Sequence, residues 1–190
     1  MSISLNRESE LVKNLTADEL YSVEQFIKCY NYAPIVSPTL GIPVMVDDCI
    51  EIMSYGEING RVAAMAAPAN PKINDLVIGG KVSDFLIVVN TTFFTIPEEE
   101  QRGLLLHEEG HIVDWINHPE KVAFLMAAGA GHAVIDVGME LAADDYAIAH
   151  DGGAGLAAGV KRILASVRGT VPADFTVAIN RVRRLRRAGY

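Results

Sequence analysis

The chain has 190 residues and a formal net charge of −8, with 24 Asp and Glu against 16 Lys and Arg. That length suits one domain with a sizeable core, and the acidic balance argues against nucleic acid as a partner. No apolar run reaches the ~18–20 residues of a membrane span, and no leader of the secretory kind opens the sequence. Two isolated cysteines, Cys29 and Cys49, give neither a disulfide framework nor a thiolate metal site. A cytoplasmic location is the expectation.

Thr16 with Glu19 three residues on is a capping-box pattern, and Leu20, Val23, Phe26, Ile27 and Tyr30 follow at helical spacing. A helix is predicted over residues 17–31, ended by Pro34 and Pro38. From Gly41 to Asn90 the texture changes to short β-rich runs: Ile42–Val46, Cys49–Tyr55, Val62–Ala66, Leu76–Ile78 and Phe85–Val89. Glu57 to Gly60 reads as a hairpin turn and Pro68–Asp75 as a loop. The segment is expected to form one mostly antiparallel sheet.

After Pro97 the pattern is helical. Pro97 followed by Glu98, Glu99 and Glu100 is a helix start, with carboxylates at the positive end of the dipole. That helix is predicted to run to Asn117, where His118-Pro119 stops it, with further helices near 120–128, 133–149, 156–167 and 173–187. Gly152, Gly153 and Gly155 lack the flanking strand and Lys-Ser/Thr of a phosphate loop and read as a helix cap and linker. The fold class is therefore α+β: a small sheet followed by a helical half. We expect a single domain over 1–190, with a helical N-terminal extension to residue 40, the sheet at 41–96 and the helical half at 97–190.

The chemistry lies in His107-Glu108-Glu109-Gly110-His111. Two histidines four apart on a helix share one face and can grip one tetrahedral zinc. Glu108, ~100° round the helix from His107, can move protons for a zinc-held water. Leu104, Leu105, Leu106, Ile112 and Val113 make the rest of the helix apolar, so the His-Glu-His face is polar surface inside a core. A catalytic zinc needs a third protein ligand and an open position. Asp114 and Asn117 stand where a metzincin would need Gly and a ligand, which excludes that subclass. Glu140 and Asp144, four apart on a later predicted helix, fit best. Glu140 completes a His₂Glu site, and Asp144 reaches a ligand histidine and fixes its tautomer. Asp136 is the reserve ligand, His118 a weaker one, and Asp114 an alternative partner for a histidine.

This arrangement resembles the gluzincin pattern, HExxH followed by ExxAD, here His107 to His111 with Glu140, Ala143 and Asp144. It is similar to the HtpX and prenyl-protein endopeptidase group and to compact ImmA/IrrE-type peptidases. The resemblance covers roughly residues 76–150 and implies a zinc metallopeptidase acting on a peptide or protein substrate. It also implies that the strand before the helix, Phe85 to Asn90, is the sheet edge that takes substrate as an added strand, with Asn90 and nearby backbone holding it. Gluzincins commonly add an oxyanion-stabilising His, Tyr or Arg. Tyr146 points away from Glu140 on the helical wheel, which leaves His132, His150 and the C-terminal arginines. Those arginines, Arg181, Arg183, Arg184, Arg186 and Arg187, suit a helix C-terminus or a tail that docks an acidic partner. The rival reading is a zinc-containing binding or regulatory module of the same fold that cleaves nothing.

Overall fold

The computed structural model describes residues 2–46, 64–128, 137–166 and 172–190, with the side chains of 124–128, 163–166 and 172–178 left aside. The expected strand Cys49–Tyr55, the turn at 57–60, Cys49, His132 and Asp136 lie outside the described residues.

Chain order begins with β1 (Ser4–Leu5), α1 (Glu10–Lys13), α2 (Ala17–Asn31), β2 (Ile35–Val36), β3 (Pro43–Val46), β4 (Ala64–Pro68), α3 (Ile73–Leu76), β5 (Val77–Ile78) and β6 (Phe85–Val89). A 3₁₀ turn at Thr91–Thr95 leads into α4 (Glu98–Asn117), followed by α5 (Pro119–Ala128), α6 (Val137–Ala149), α7 (Gly153–Ser166) and α8 (Pro172–Arg187). The class is α+β, as the sequence implies. The Thr16–Glu19 capping box forms with both reciprocal bonds and starts α2 at the predicted residue.

The main sheet has the order β2-β3-β6-β4. β2 with β3 and β4 with β6 are antiparallel, while β3 with β6 is parallel. Two expectations change here. Leu76–Ile78 does not join this sheet: β5 pairs with β1 in a separate two-stranded ribbon. The strand at 85–89 is interior, paired on both sides, so it is not the edge; among the described residues the strand at that end of the sheet is β4. The run Leu86-Ile87-Val88-Val89 carried the reason, since a strand buried on both faces reads as unbroken apolar sequence and an edge strand seldom does.

Alternation along the strands divides the core. Val44, Ala66, Ile87 and Val89 face the helical half, with Leu104, Leu105, Leu106, Ile112 and Trp115 of α4. Met45, Leu86 and Val88 face the other way, onto Phe26, Cys29 and Tyr30 of α2. The sheet is thus covered on both faces, and the residues before 41 supply one of its strands and one of its covers.

α4 is the central strut, and glycines set its spacing. A Cβ built on Gly110 would stand 2.6 Å from Cα of Ala143 in α6. One on Gly103 would stand 2.1 Å from the Leu156 nitrogen in α7, and one on Gly155 would stand 1.8 Å from the Glu99 carbonyl oxygen. Gly153 and Gly155 are therefore part of α7, Gly155 against α4 and Gly153 against the Tyr190 ring, a correction to the linker reading. The cap of α6 lies one residue earlier than the glycines: Asp151 takes φ of 60° and the Gly152 N–H returns to the Ala147 carbonyl at 2.8 Å. Arg162 of α7 holds Glu100 of α4 through two 2.8 Å bonds, which keep that carboxyl below its ordinary range.

Candidate metal centre

His107, Glu108, Glu109 and His111 sit on the α4 wall that meets α6 and the sheet. Three of the four are buried, and His111 keeps 12% of its side chain exposed. Glu140 and Asp144 approach from α6, where Ala143 and Ala147 are buried against α4 and allow the close approach.

His107 Nε2 lies 3.2 Å from His111 Nε2. Glu140 places one carboxylate oxygen 3.3 Å from His107 Nε2 and the other 3.3 Å from His111 Nε2. Two donors ~2.0–2.1 Å from one tetrahedral ion stand about 3.3–3.4 Å apart, close to the spacing of the two imidazole nitrogens, while Glu140 divides its two oxygens between them. His107, His111 and Glu140 can together hold a metal ion. Asp144, fully buried, accepts from His107 Nδ1 at 2.9 Å and so turns the Nε2 lone pair toward that centre.

Arg181 completes the cluster. Its Nε lies 3.1 Å from both Asp144 oxygens, its second guanidinium nitrogen donates to Asp144 at 2.9 Å, and its third donates to Glu140 at 3.0 Å. One guanidinium thus ties a metal ligand to the carboxylate that orients another ligand. The sequence reading held the C-terminal arginines open as oxyanion candidates and missed this role. A signal was available: Arg181 is four residues from the buried Leu185, so it lies on the inner face of α8. Arg184 grips Asp145 of α6 at 2.6 and 2.7 Å, so two of the five tail arginines are spent within the chain.

Charge explains what the arrangement accepts. Glu108, Glu140 and Asp144 bring three negative charges and Arg181 one positive, leaving a deficit that one divalent cation cancels. Without a cation, protons take its place. Burial and the Arg181 charge push His107 toward the neutral form, but hydrogen bonds to Asp144 and Glu140 outweigh them and raise its pKa to about 9. Burial pushes Glu140 up, yet the two histidines and Arg181 hold it far below the ordinary carboxylate range. Asp144 is lowered in the same way: His107 and Arg181 overcome its desolvation.

Glu108 and Glu109 part company. Glu108 Oε2 accepts the Ala66 backbone N–H of β4 at 2.7 Å. Glu109, wholly buried, accepts the N–H groups of Thr39 and Leu40 at 2.9 and 2.7 Å and the Thr39 hydroxyl, which also meets Tyr146 Oη at 2.7 Å. It clamps the β2–β3 turn, where Gly41 takes φ of +65°, and so locks the helix face.

The remaining candidates fall elsewhere. Asp114 is held by Lys121 at 2.7 and 2.8 Å and by His118 Nδ1 at 2.9 Å, so neither Asp114 nor His118 serves the centre. His150 Nδ1 bonds the Tyr146 carbonyl, and its ring packs on Tyr146. Asn90 starts the 3₁₀ turn by accepting the Phe93 N–H at 3.2 Å, and the strand before it, on whose edge position its substrate role rested, is interior to the sheet. Among the described residues no helix is long and apolar enough to cross a membrane. No protein-family model, no curated protein and no solved structure matches this chain.

Proposed function

We propose that the chain is a zinc-dependent metallopeptidase of gluzincin type. The observation that carries the reading is the His107–His111–Glu140 cluster, in which the two Nε2 atoms stand 3.2 Å apart and each meets a Glu140 oxygen at 3.3 Å, with Glu108 next to His107 on the same helix. Bound zinc supplies there a Lewis acid and a water that loses its proton near neutral pH. Two imidazoles and one carboxylate are the donor set zinc takes in hydrolases of this kind, with one position left open.

The protein's own groups do the rest. Glu108 takes the proton of the attacking water and returns it to the leaving amine. Asp144 keeps His107 in the tautomer that presents Nε2. Arg181 holds Glu140 and Asp144 in place and balances their charge. The outer edge of β4, beside Glu108, receives the substrate backbone as an added strand.

Replacing Glu108 by Gln is the test. Hydrolysis of a peptide library should fall by at least about a hundredfold, the scale of general acid–base catalysis, with one zinc per chain retained. Normal cleavage by that variant, or a wild-type chain that takes up no zinc, overturns the reading. A second reading, a metal-holding module that cleaves nothing, draws on Arg181, whose guanidinium already engages Glu140 and lies 3.2 Å from His107 Nδ1. Cleavage that a chelator stops removes it.

A further inference from the structure

Glu109 is wholly buried and stands one residue from Glu108, yet the metal chemistry makes no use of it. Successive residues of a helix are turned by about 100°, which sets Glu109 and the histidines on opposite flanks of Gly110. His107 and His111 lie ~60° and ~100° to one side of Gly110, and Glu109 lies ~100° to the other. α6 repeats the division about Ala143: Glu140 and Asp144 lie ~60° and ~100° to one side, Tyr146 ~60° to the other. Gly110 and Ala143 meet with no room for a further methyl. They are a pivot between the two helices, with the metal cluster on one flank.

A second cluster occupies the other flank. Glu109 Oε1 accepts the N–H groups of Thr39 and Leu40 at 2.9 and 2.7 Å, and Oε2 accepts the Thr39 hydroxyl. That hydroxyl has one proton, spent on the carboxylate, so Tyr146 Oη donates to Thr39 Oγ1 across 2.7 Å. One threonine oxygen thus joins α4 to α6. The turn that carries it is closed on itself, with Ser37 N–H on the Ile42 carbonyl at 2.8 Å and Ile42 N–H on Ser37 Oγ at 3.0 Å. β3, which follows the turn, is paired with both β2 and β6, so Thr39 stands as a post fixed to the sheet.

Two helices in contact at a pivot can rock about it, and opening one flank closes the other. We infer that Thr39 is a positioning residue for the metal centre, acting through Glu109 and Tyr146 on the angle between α4 and α6. The inference rests on the zinc site of the peptidase reading and adds to it a residue that touches neither metal nor substrate. Zinc holds its donor distances to about 0.2 Å, so a small rock of α6 is felt where Glu140 meets the two histidines. The coupling is reciprocal: what the Thr39 bridge does for the metal, the metal does for the bridge.

The zinc affinity of the full chain, read by competition with a chelating dye, tests this. Thr39→Val keeps the shape and removes the hydroxyl; it should weaken zinc binding roughly five- to tenfold and displace the visible bands of bound cobalt. Thr39→Ser returns the hydroxyl and should restore both. Tyr146→Phe removes one bond of the bridge, and its loss should fall between. A folded Thr39→Val chain that binds zinc as tightly as the wild type overturns the inference. If the valine variant does not fold, amide hydrogen exchange of the wild type decides. Zinc should slow exchange at Thr39 and Leu40 by more than at Asn6, whose N–H is held by the Leu76 carbonyl beside the β1–β5 ribbon. Equal slowing at all three overturns the inference. Either reversal leaves the peptidase reading standing, since Glu108→Gln tests that separately, whereas a wild type that takes up no zinc overturns both.

Discussion

α4 meets α7 and α6 on different sides, and the two seams are built on different physics. Toward α7 the contact is backbone on backbone, with Gly103 and Gly155 letting the helices touch and Leu156 fully buried. Toward α6 glycine again sets the spacing, at Gly110 against Ala143, but the space won holds His107, Glu140, Asp144 and Arg181. The first seam is set by shape, with the Arg162–Glu100 ion pair its one charged contact described above. The second is satisfied only when charge is balanced, which makes it the side that can respond to a metal.

The largest expected effect breaks the first seam. In most helices Gly→Ala stabilises by up to ~1 kcal/mol. At Gly155 the new methyl would stand 1.8 Å from a carbonyl oxygen, so overpacking wins. Gly155→Ala should lose about 3 kcal/mol of stability, read as a lower denaturation midpoint, and loosen the zinc site only through that loss. The second seam should behave in the opposite way. Asp144→Asn should cost roughly ten- to a hundredfold in zinc affinity, measured by competition with a chelating dye, because His107 loses the partner that orients it. A Gly155→Ala chain that binds zinc as poorly as Asp144→Asn while still folded would erase the distinction.

The smallest effect is graded with pH. Without metal, His107 is raised from 6.5 to about 9, so its contribution to stability is fully present below pH 6.5 and lost as pH rises toward 9. Metal must displace that proton. Zinc affinity should therefore keep climbing, about tenfold per pH unit, between pH 6.5 and about 9, where a site of ordinary histidines has already levelled off. An affinity flat above pH 6.5 would mean that Asp144 and Glu140 do not hold the proton on His107.

Much of this was legible in the residues because the signals are local. The Thr16–Glu19 box, the apolar periods and the Glu-rich start of α4 settle within a few residues, and the chain forms those helices where they predict. The i, i+4 spacing in His107/His111 and in Glu140/Asp144 named both halves of the cluster because each half lies on one helix. What sequence could not supply was pairing between distant segments. Which strand is the edge depends on the order of β3, β6 and β4, and two of those pairings span dozens of residues. Glu109 reads as one more surface acid of α4 until Thr39 and Leu40, about seventy residues earlier, fold onto it. Arg181 sits in a tail whose composition suggests solvent, and only its spacing from Leu185 hints that it turns inward. The glycines of α7 misled for the same reason: glycine marks a linker by composition, and only a partner helix at contact distance makes it a packing residue.

Trp115 lies one turn beyond His111 on α4, its ring centroid 6.2 Å from the imidazole and inclined by 22°. It is the only tryptophan in the chain. Indole emission, excited at wavelengths the six tyrosines do not absorb, thus arises beside the His111 side of the metal cluster, and the molecule carries its own optical gauge. Cobalt seated between His107, His111 and Glu140 should quench that light, zinc should change its intensity without quenching it, and a polypeptide settling along β4 should be visible without any label.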